Sequence, residues 1–372
     1  MIEGDNVSMS TTSPATPAAL PAIPHAVYAK RIREVIASQE FARRYPGVAK
    51  RIFQPVRIRL LAVPVNVLII ALGVLVIISD LGGVVGKVLS SLLIGNAFAS
   101  LGFLGHEVLH NAVVRTPWFK NVLGGFCLSP FWVGPLLWRI WHNEMHHTHT
   151  QHPNDDPDTS PSYDTHQRSR VLQVVFRFVR PERLILIPLV GIRFTIHSHM
   201  MLWKVQKLWR GRKRATLWAQ WAVSFVIWNG LAFVLGFQMY FWSYLLPFFI
   251  GNFVLAGYIA TNHLLNPQMA DRDEVQGSLS VRVPWIFDVW HLGFAHHVPH
   301  HLFPAMSHKW GPIMGEIIGR LWPDRYHQLP ILQAWRLLWK TPRLYLDYDR
   351  LIDPTNRRIF PTLGRGLTPT SV

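Results

Sequence analysis

Four apolar runs, each about 20 residues long, constrain this sequence more than any other feature. They cover residues about 60–79, 84–105, 217–237 and 241–262. An α-helix needs roughly 20 apolar residues to cross the hydrocarbon core of a bilayer, and 49% of the chain is hydrophobic. We therefore predict an all-α integral membrane protein. Because the connections within each pair are short, the four transmembrane helices should form two hairpins.

The lysines and arginines lie mainly beside these runs. They are dense in residues 26–59, directly before the first run, and in residues 204–214, before the third. Under the positive-inside rule these segments are cytoplasmic, and with four crossings both termini and segments 106–216 and 263–372 also face the cytoplasm. We attribute the net charge of +16 to contact with the lipid bilayer rather than with nucleic acid. We expect a multi-pass protein of a bacterial inner membrane.

Three further features complete the organisation. Residues 1–25 are rich in Ser, Thr, Pro and Ala and lack the basic-then-apolar pattern of a cleavable signal peptide, so we predict a disordered tail. Residues 26–372 then form a single membrane domain. The stretch 122–141 is apolar but interrupted by glycines and prolines, which places it in the membrane interface. The single cysteine, Cys127, excludes an intramolecular disulfide framework.

Histidine is unusually frequent, with 19 residues, and it is concentrated in three groups. The groups are His106 and His110; His142, His146 and His147; and His297, His300 and His301. All three reach the same predicted membrane face, capping the two hairpins with a cytoplasmic helical domain, and His263 ends the fourth run there. Neutral imidazole binds Fe, Zn, Cu or Ni. Eight candidates exceed the four ligands of one tetrahedral zinc, so their number favours two metal ions.

The spacing within the middle group is compatible with two ions. On an α-helix His142 and His146 lie about 40° apart, whereas His147 lies about 140° from His142. One helix can thus offer ligands to both ions. The third group, spaced i, i+3, i+4, shares a narrower face.

The order H-x-x-x-H, H-x-x-x-H-H with a following D-D-P-D, and H-x-x-H-H-L-F-P resembles the membrane fatty acid desaturases, within the wider family of histidine-box di-iron membrane oxygenases. The resemblance covers residues about 60–345. It implies two Fe ions held almost wholly by histidine, with O2 as co-substrate, that remove two hydrogens from adjacent methylenes of a fatty acyl chain. Carried over by position, the ligands are the eight histidines of the three groups, and His263 matches the extra histidine that some members supply from the last span.

Two positions depart from the family pattern. The middle group has three residues rather than the more frequent two before H-H, a variant that the family tolerates. Ile259 stands where animal acyl-CoA desaturases place an asparagine near the metal, which weakens a close analogy to those enzymes.

Neutral imidazoles leave the charge of the cations uncompensated, so carboxylates that accept from the outer ring N–H groups are expected nearby. The candidates are Glu107, Glu144, Asp155, Asp156, Asp158 and Asp288; for each, a solvated surface charge is the other interpretation. The acyl chain would occupy an apolar tunnel, for which the candidate lining residues, otherwise interfacial anchors or core, are Trp138, Trp141, Trp228 and Phe253.

Electrons would come from a separate carrier, a ferredoxin or a cytochrome b5 with its reductase. The basic segment Arg210–Arg214 would steer such an acidic donor.

Several alternatives stay open. Residues 106–110 read H-E-x-x-H, which on a helix marks a zinc metalloprotease with Glu107 as its base. E-V-L-H and E-M-H-H also match the Glu-x-x-His of soluble ferritin-like bundles, although those need amphipathic helices. A transporter or metal store would need polar groups at the bilayer midplane. Within the resembling family, hydroxylation or ketolation of a lipid is the closest rival to desaturation.

The remaining histidines have a plainer interpretation. We interpret seven as ordinary, partly buried side chains: His25, His152, His166, His197, His199, His308 and His327. His149, His291 and His296 remain undecided between that interpretation and the metal site.

Overall fold

The computed structural model describes residues 20–178, 186–368 and 370, and within them it is mostly helical. Most of the predicted disordered tail, residues 1–19, lies outside the described residues. Residues 20–25 are described, and two of them contact later parts of the chain: the Ile23 amide donates to Asp273 (3.0 Å) and Arg325 donates to the Pro21 carbonyl (2.9 Å).

The helices of the N-terminal half are α1 (His25–Ala37), α2 (Gln39–Arg44), α3 (Ala62–Ile78), α4 (Gly83–Leu109), α5 (Pro117–Leu128) and α6 (Pro135–Trp138), with a 3-10 turn at Arg57–Leu61, another at Ser129–Phe131, and a π-helical turn at Arg139–His146. The middle part contains α7 (Tyr163–Arg168), α8 (Arg170–Phe178), α9 (Leu186–Val205), a 3-10 turn at Gln206–Leu208, α10 (Gly211–Tyr240), a π-helical turn at Phe241–Leu245, and α11 (Leu246–His263).

The C-terminal part contains β1 (Ser280–Arg282), α12 (Trp285–Trp290), α13 (His297–Leu302), a 3-10 turn at His308–Trp310, α14 (Gly311–Leu321), β2 (Gln328–Pro330), α15 (Ile331–Lys340), β3 (Arg350–Ile352) and β4 (Ile359–Pro361). β1 pairs with β2 in parallel, and β3 pairs with β4 in antiparallel fashion. β1 lies beside α13, where the Val298 amide donates to Ser280 Oγ (3.1 Å).

Three helical stretches among the described residues are long and apolar enough to cross a membrane: Arg57–Ile78, Gly83–Leu109 and Gly211–His263. Their presence confirms the prediction of a mostly helical protein with membrane-length helices. In the most apolar window of α4 72% of the residues are buried, against 17% in that of the stretch containing α3. Helix α4 is therefore central and α3 peripheral.

The third stretch, 53 residues long, contains a reversal at Gly236. Gly236 has φ 73° and ψ 157°, a conformation that a residue with a Cβ rarely adopts. The Tyr240 hydroxyl donates to Asn229 Oδ1 (2.8 Å), and the rings of Trp228 and Tyr244 stack with centroids 5.0 Å apart. In a straight helix 16 residues span about 24 Å, so the chain folds back on itself at this glycine.

Helices α3 and α11 pack along α4, and α9 packs along α11. At Gly95 of α4 a Cβ would lie 2.6 Å from the side chain of Ile250, so glycine permits the close contact between α4 and α11. Helix α9 was not predicted from the sequence, because Arg193, His197 and His199 interrupt its apolar residues. Asn252 fixes α9 by accepting from both the amide and the hydroxyl of Thr195 (3.0 and 2.8 Å).

The segment 122–141, predicted to be interfacial, is broken into α5, a 3-10 turn, α6 and the start of the π-helical turn. One side of it faces the protein, with Cys127 and Phe131 fully buried, while Val122 and Phe126 are exposed. The interruptions by glycine and proline thus coincide with the breaks in the helix.

Candidate metal centre

Four parts of the chain converge at one end of the bundle. Helix α4 ends with the first histidine group, the π-helical turn carries the second, α11 ends at His263, and α13 carries the third. All nine predicted ligands meet there, and all except the half-buried His142 are buried.

The nine histidines form two clusters. Within each cluster the ligand nitrogens lie within 4.8 Å of one another. Cluster A contains His106, His110, His142, His147 and His300. Cluster B contains His146, His263, His297 and His301. The second and third sequence groups therefore each contribute to both clusters, whereas both histidines of the first group belong to cluster A.

The ring nitrogens approach each other Nε2 to Nε2. In cluster A the Nε2 of His142 lies 2.9 Å from that of His106 and 3.1 Å from that of His147. In cluster B the Nε2 of His297 lies 2.8 Å from that of His263 and 2.9 Å from that of His301. Adjacent nitrogens bound at about 2.1 Å and at right angles around one cation would lie about 3.0 Å apart. The spacing and the donor chemistry therefore fit one cation per cluster.

The π-helical turn explains how the middle group divides. The amide of His147 donates to the carbonyl of His142 (3.0 Å), a bond from residue i to residue i−5 that widens the helical turn. His147 is thereby brought close to His142, with the two rings edge to face (centroids 4.6 Å apart), and both enter cluster A. The ring of His146 stacks on that of His142 (centroids 5.2 Å apart), and its nitrogen enters cluster B.

Three ligands of cluster B have partners for their outer nitrogen, Nδ1. His146 Nδ1 donates to Asp156 Oδ1 (2.9 Å), and His263 Nδ1 donates to the Gly277 carbonyl (3.3 Å). The Thr150 hydroxyl donates to the His146 carbonyl (3.0 Å) and can therefore accept from His301 Nδ1 (3.2 Å). These bonds place the proton on Nδ1 and leave Nε2 free for a cation.

The outer nitrogens of cluster A are different. Among the described residues, Nδ1 of His106, of His147 and of His300 is buried without a protein partner. The ring of His308 stacks on that of His300, with centroids 4.7 Å apart. Packing, rather than hydrogen bonding to protein groups, holds these rings.

The electrostatics keep most of the imidazoles neutral. Burial, with a smaller contribution from the neighbouring imidazoles, lowers the pKa well below its ordinary value in His110, His142, His147, His297, His300 and His301. Burial also opposes protonation of His146, but the carboxylates of Asp156 and Asp158 outweigh it and raise the pKa of His146 to about 9. Neutral imidazole is the form that binds metals.

Two of the six candidate carboxylates contact a clustered histidine. Asp156 accepts from His146 as described. Asp158 lies 3.5 Å from His146 Nδ1 and also accepts from Trp141 Nε1 and His197 Nε2 (2.8 Å each). Despite its own burial, these neighbours hold the pKa of Asp158 below its usual range.

The carboxylate of Glu107 accepts from the Ser307 hydroxyl (3.0 Å) and from both the amide and Nδ1 of His308 (2.6 and 2.9 Å). It thus orients the ring that packs on His300, and it belongs to neither cluster. A peptidase base would face the metal-bound water instead.

The other three carboxylates lie outside the clusters. Asp155 pairs with His152 (3.0 Å) on the surface, Glu144 is exposed, and Asp288 lies 3.7 Å from His296 Nε2.

A cavity of about 50 Å³ lies against both clusters on the side of the helical spans. Its apolar wall consists of Gly102, Phe103, Leu128, Trp138, Trp141, Phe194, Leu255, Ile259 and Phe294. Of the four residues predicted to line an acyl tunnel, Trp138 and Trp141 line this cavity. Trp228 instead packs on Phe98, and Phe253 packs on Trp335.

Four residues that contact the metal centre were not among the candidates from the sequence. Thr150, Gly277, His197 and His308 contact a clustered histidine or its carboxylate partner. His197 and His308 were interpreted as ordinary histidines, since neither belongs to a group with metal-ligand spacing. The carbonyl of Gly277 carries no side-chain signal at all.

The family model described as "Fatty acid desaturase" matches residues 82–332. That segment contains all nine clustered histidines and spans more than half of the chain. A search of curated proteins found no match.

Proposed function

This chain belongs to the fatty acid desaturase family, and from that membership we propose that it is an O2-dependent di-iron membrane enzyme that introduces a double bond into a fatty acyl chain. Family membership makes it an oxidoreductase acting on fatty acyl groups. The observation that supports two metal ions is the division of nine histidines into two compact clusters, and the choice of iron rests on the family.

In the proposed centre cluster A holds one Fe ion and cluster B the other. The bound pair supplies O2 activation. The overall reaction balances as R–CH2–CH2–R′ + O2 + 2 electrons + 2 H⁺ giving R–CH=CH–R′ + 2 H2O. The two electrons come from a separate donor, a ferredoxin or a cytochrome b5 with its reductase.

The residues of this chain contribute positioning and shielding. The ring orientations in cluster B depend on Asp156, Thr150 and the Gly277 carbonyl, which fix the Nδ1 tautomer. The cavity wall is apolar and suits two adjacent methylenes. At about 50 Å³ it has room for roughly four water-sized groups. Only the reacting part of an acyl chain would therefore lie at the clusters, and water would be excluded when it is there.

We further propose that the chain crosses the membrane four times. The reversal at Gly236 divides the 53-residue stretch into two passes, so α3, α4, α10 and α11 form two hairpins. Both histidine-bearing segments then lie on the cytoplasmic side, within one domain over residues 26–372. A bacterial inner membrane is the proposed location. Cysteines introduced at Ser79 and Gln238 should react with an impermeant maleimide only from the outside. Labelling of Gln238→Cys from the cytoplasmic side would refute this topology.

The exposed segment Arg210–Arg214 at the start of α10 is the proposed donor surface. Electrostatic steering of an acidic donor falls with ionic strength. A variant with Arg212, Lys213 and Arg214 changed to Glu should be reduced more slowly by the donor at low salt, with little difference at high salt. Equal rates at low salt would exclude this surface.

Hydroxylation or ketolation of a lipid remains the second candidate, because the same histidine set serves those reactions and the cavity does not distinguish them. Analysis of the product distinguishes desaturation from these reactions. A new double bond supports desaturation, whereas an added oxygen atom in the product supports the alternative.

The direct test is metal content. Mass spectrometry of the detergent-purified protein should give about two Fe per chain, and these should be lost when His297, His300 and His301 are changed to Ala. A variant with His149 and His152 changed to Ala, both outside the clusters, should keep the iron. Labelled fatty acids supplied to cells should then gain a double bond only when the clusters are intact. About one zinc per chain, retained in the triple variant, would instead support the peptidase interpretation.

A further inference from the structure

Helix α12 (Trp285–Trp290) exposes apolar side chains with no protein partner among the described residues to cover them. Trp285 is 76% exposed, Val289 66% and Ile286 53%. A soluble surface rarely carries such a dense apolar patch unless it binds something. Asp288, the only charged residue of α12, is less exposed than these apolar side chains and approaches His296 (3.7 Å).

The position of α12 relative to the spans is fixed by hydrogen bonds. Trp290 Nε1 donates to Asn66 Oδ1 of α3 (3.0 Å), and Ser100 Oγ of α4 donates to the Trp290 carbonyl (2.6 Å). Asn66 also donates to Ser100 Oγ (3.0 Å). These three residues therefore lie at one level of the bundle.

That level lies on the membrane side of the metal centre. Ser100 precedes His106 by six residues on α4, which corresponds to about 9 Å along the helix axis. Asn66 follows Arg59, the last basic residue before α3, by seven residues. At the same rise per residue that separation is about 11 Å. Val65 and Leu68, on either side of Asn66, are exposed apolar residues of α3. The apolar surface of α12 is thus continuous with the outer surface of a candidate span.

We infer that α12 is inserted into the cytoplasmic leaflet of the bilayer, with Trp285, Ile286 and Val289 among the lipid acyl chains. Interfacial helices bury their apolar face about 5–10 Å below the headgroup boundary, which agrees with the level set by Asn66 and Ser100. Arg282, exposed two residues before Pro284, would then meet the lipid phosphates. The inference depends on the chain crossing a membrane but not on the reaction that it catalyses.

Site-specific labelling tests the depth of α12 directly. The single native cysteine, Cys127, is fully buried, so a label can be directed to one introduced cysteine. Ile286→Cys is compared with Leu72→Cys, an exposed site in α3, and with Ala37→Cys, an exposed site at the end of α1. Each variant is labelled with an environment-sensitive fluorophore and reconstituted into phosphatidylcholine vesicles. The quenching of its fluorescence is measured with two quenchers, a lipid that carries a nitroxide near the headgroup and aqueous iodide.

We expect the fluorophore at residue 286 to be quenched strongly by the nitroxide lipid and to be protected from iodide, as residue 72 is. The fluorophore at residue 37 should be quenched strongly by iodide and weakly by the lipid. Val289→Cys should behave like Ile286→Cys and serves if the latter fails to fold. Quenching at 286 and 289 by iodide to the extent seen at 37, with residue 72 protected, would overturn the inference while leaving the proposed function standing. Iodide access at residue 72 would remove the membrane premise itself.

Discussion

His146 Nδ1 lies 2.9 Å from Asp156 Oδ1, and both side chains are almost completely buried. Asp156 also accepts from the amides of Gln151 (2.7 Å) and Asp158 (2.9 Å). The carboxylate is therefore held by the backbone of the loop that follows the π-helical turn. It connects the conformation of that loop to the orientation of one ring in cluster B.

Asp156→Asn should weaken metal binding at cluster B. The amide group can present an acceptor to only one side, so either His146 or the Gln151 amide loses its partner. Loss of a partner to a metal-binding imidazole reduces metal affinity about 10- to 100-fold. Titration of the metal-depleted protein with Fe(II) measures the metal affinity. Asp155→Asn is the matched control, because Asp155 is exposed and its carboxylate pairs with the surface residue His152. Equal affinities in the two variants would contradict the role of Asp156.

Thr150→Val should also weaken cluster B, through a different ligand. Valine has the shape of threonine but leaves His301 Nδ1 without its hydroxyl partner, whereas the His146 carbonyl keeps the His149 amide (3.2 Å). An unsatisfied buried polar group costs about 1–3 kcal/mol. Metal retention during dialysis against a chelator should fall accordingly. Thr148→Val, an exposed neighbour that bonds only to nearby groups of its own turn, should retain metal like the parent protein. If both variants retained metal equally, the hydroxyl would not position His301.

Glu107→Gln distinguishes the two interpretations of H-E-x-x-H. Glu107 holds Ser307 and His308, so its neutralisation should lower stability by about 2 kcal/mol through weaker charge-assisted hydrogen bonds. The metal should remain bound and acyl product should still form. The measurements are a thermal unfolding curve in detergent and product analysis. Complete loss of turnover with unchanged stability and metal content would favour a catalytic Glu107.

Gly102→Leu should block the cavity without disturbing the metal. A Cβ at Gly102 would make ordinary contacts with Leu255 and Phe131 (3.4 and 3.5 Å), and the rest of a leucine would extend into a space of about 50 Å³. We expect product formation to fall at least about tenfold, because misplaced reacting carbons lose the positioning advantage, while iron content is unchanged. Gly230→Leu, where a Cβ meets nothing within 4 Å, should leave both unchanged. Full turnover in the Gly102 variant would show that the acyl chain does not use this cavity.

Much of the fold followed from local pattern. The long apolar runs predicted membrane-length helices because bilayer thickness sets their length, and the three histidine groups predicted a metal centre because few other structures need so many imidazoles at that spacing. The interruptions of residues 122–141 likewise coincided with breaks in the helix. Helix α9 was not predicted, because polar residues within it obscure the apolar pattern and its stability comes from packing on α11.

The sequence by itself determined which residues are available as ligands and that His106, His110 and His263 lie at the ends of apolar runs. Only the tertiary structure decided how they divide. A regular α-helix would set His142 and His147 far apart in angle, but the i to i−5 bond of the π-helical turn brings both into cluster A. Likewise Asp156 and Asp155 are neighbours in sequence, yet one is buried against His146 and the other is exposed. Ligand distances and hydrogen-bond directions depend on how separate helices converge, and a local sequence pattern does not contain that information.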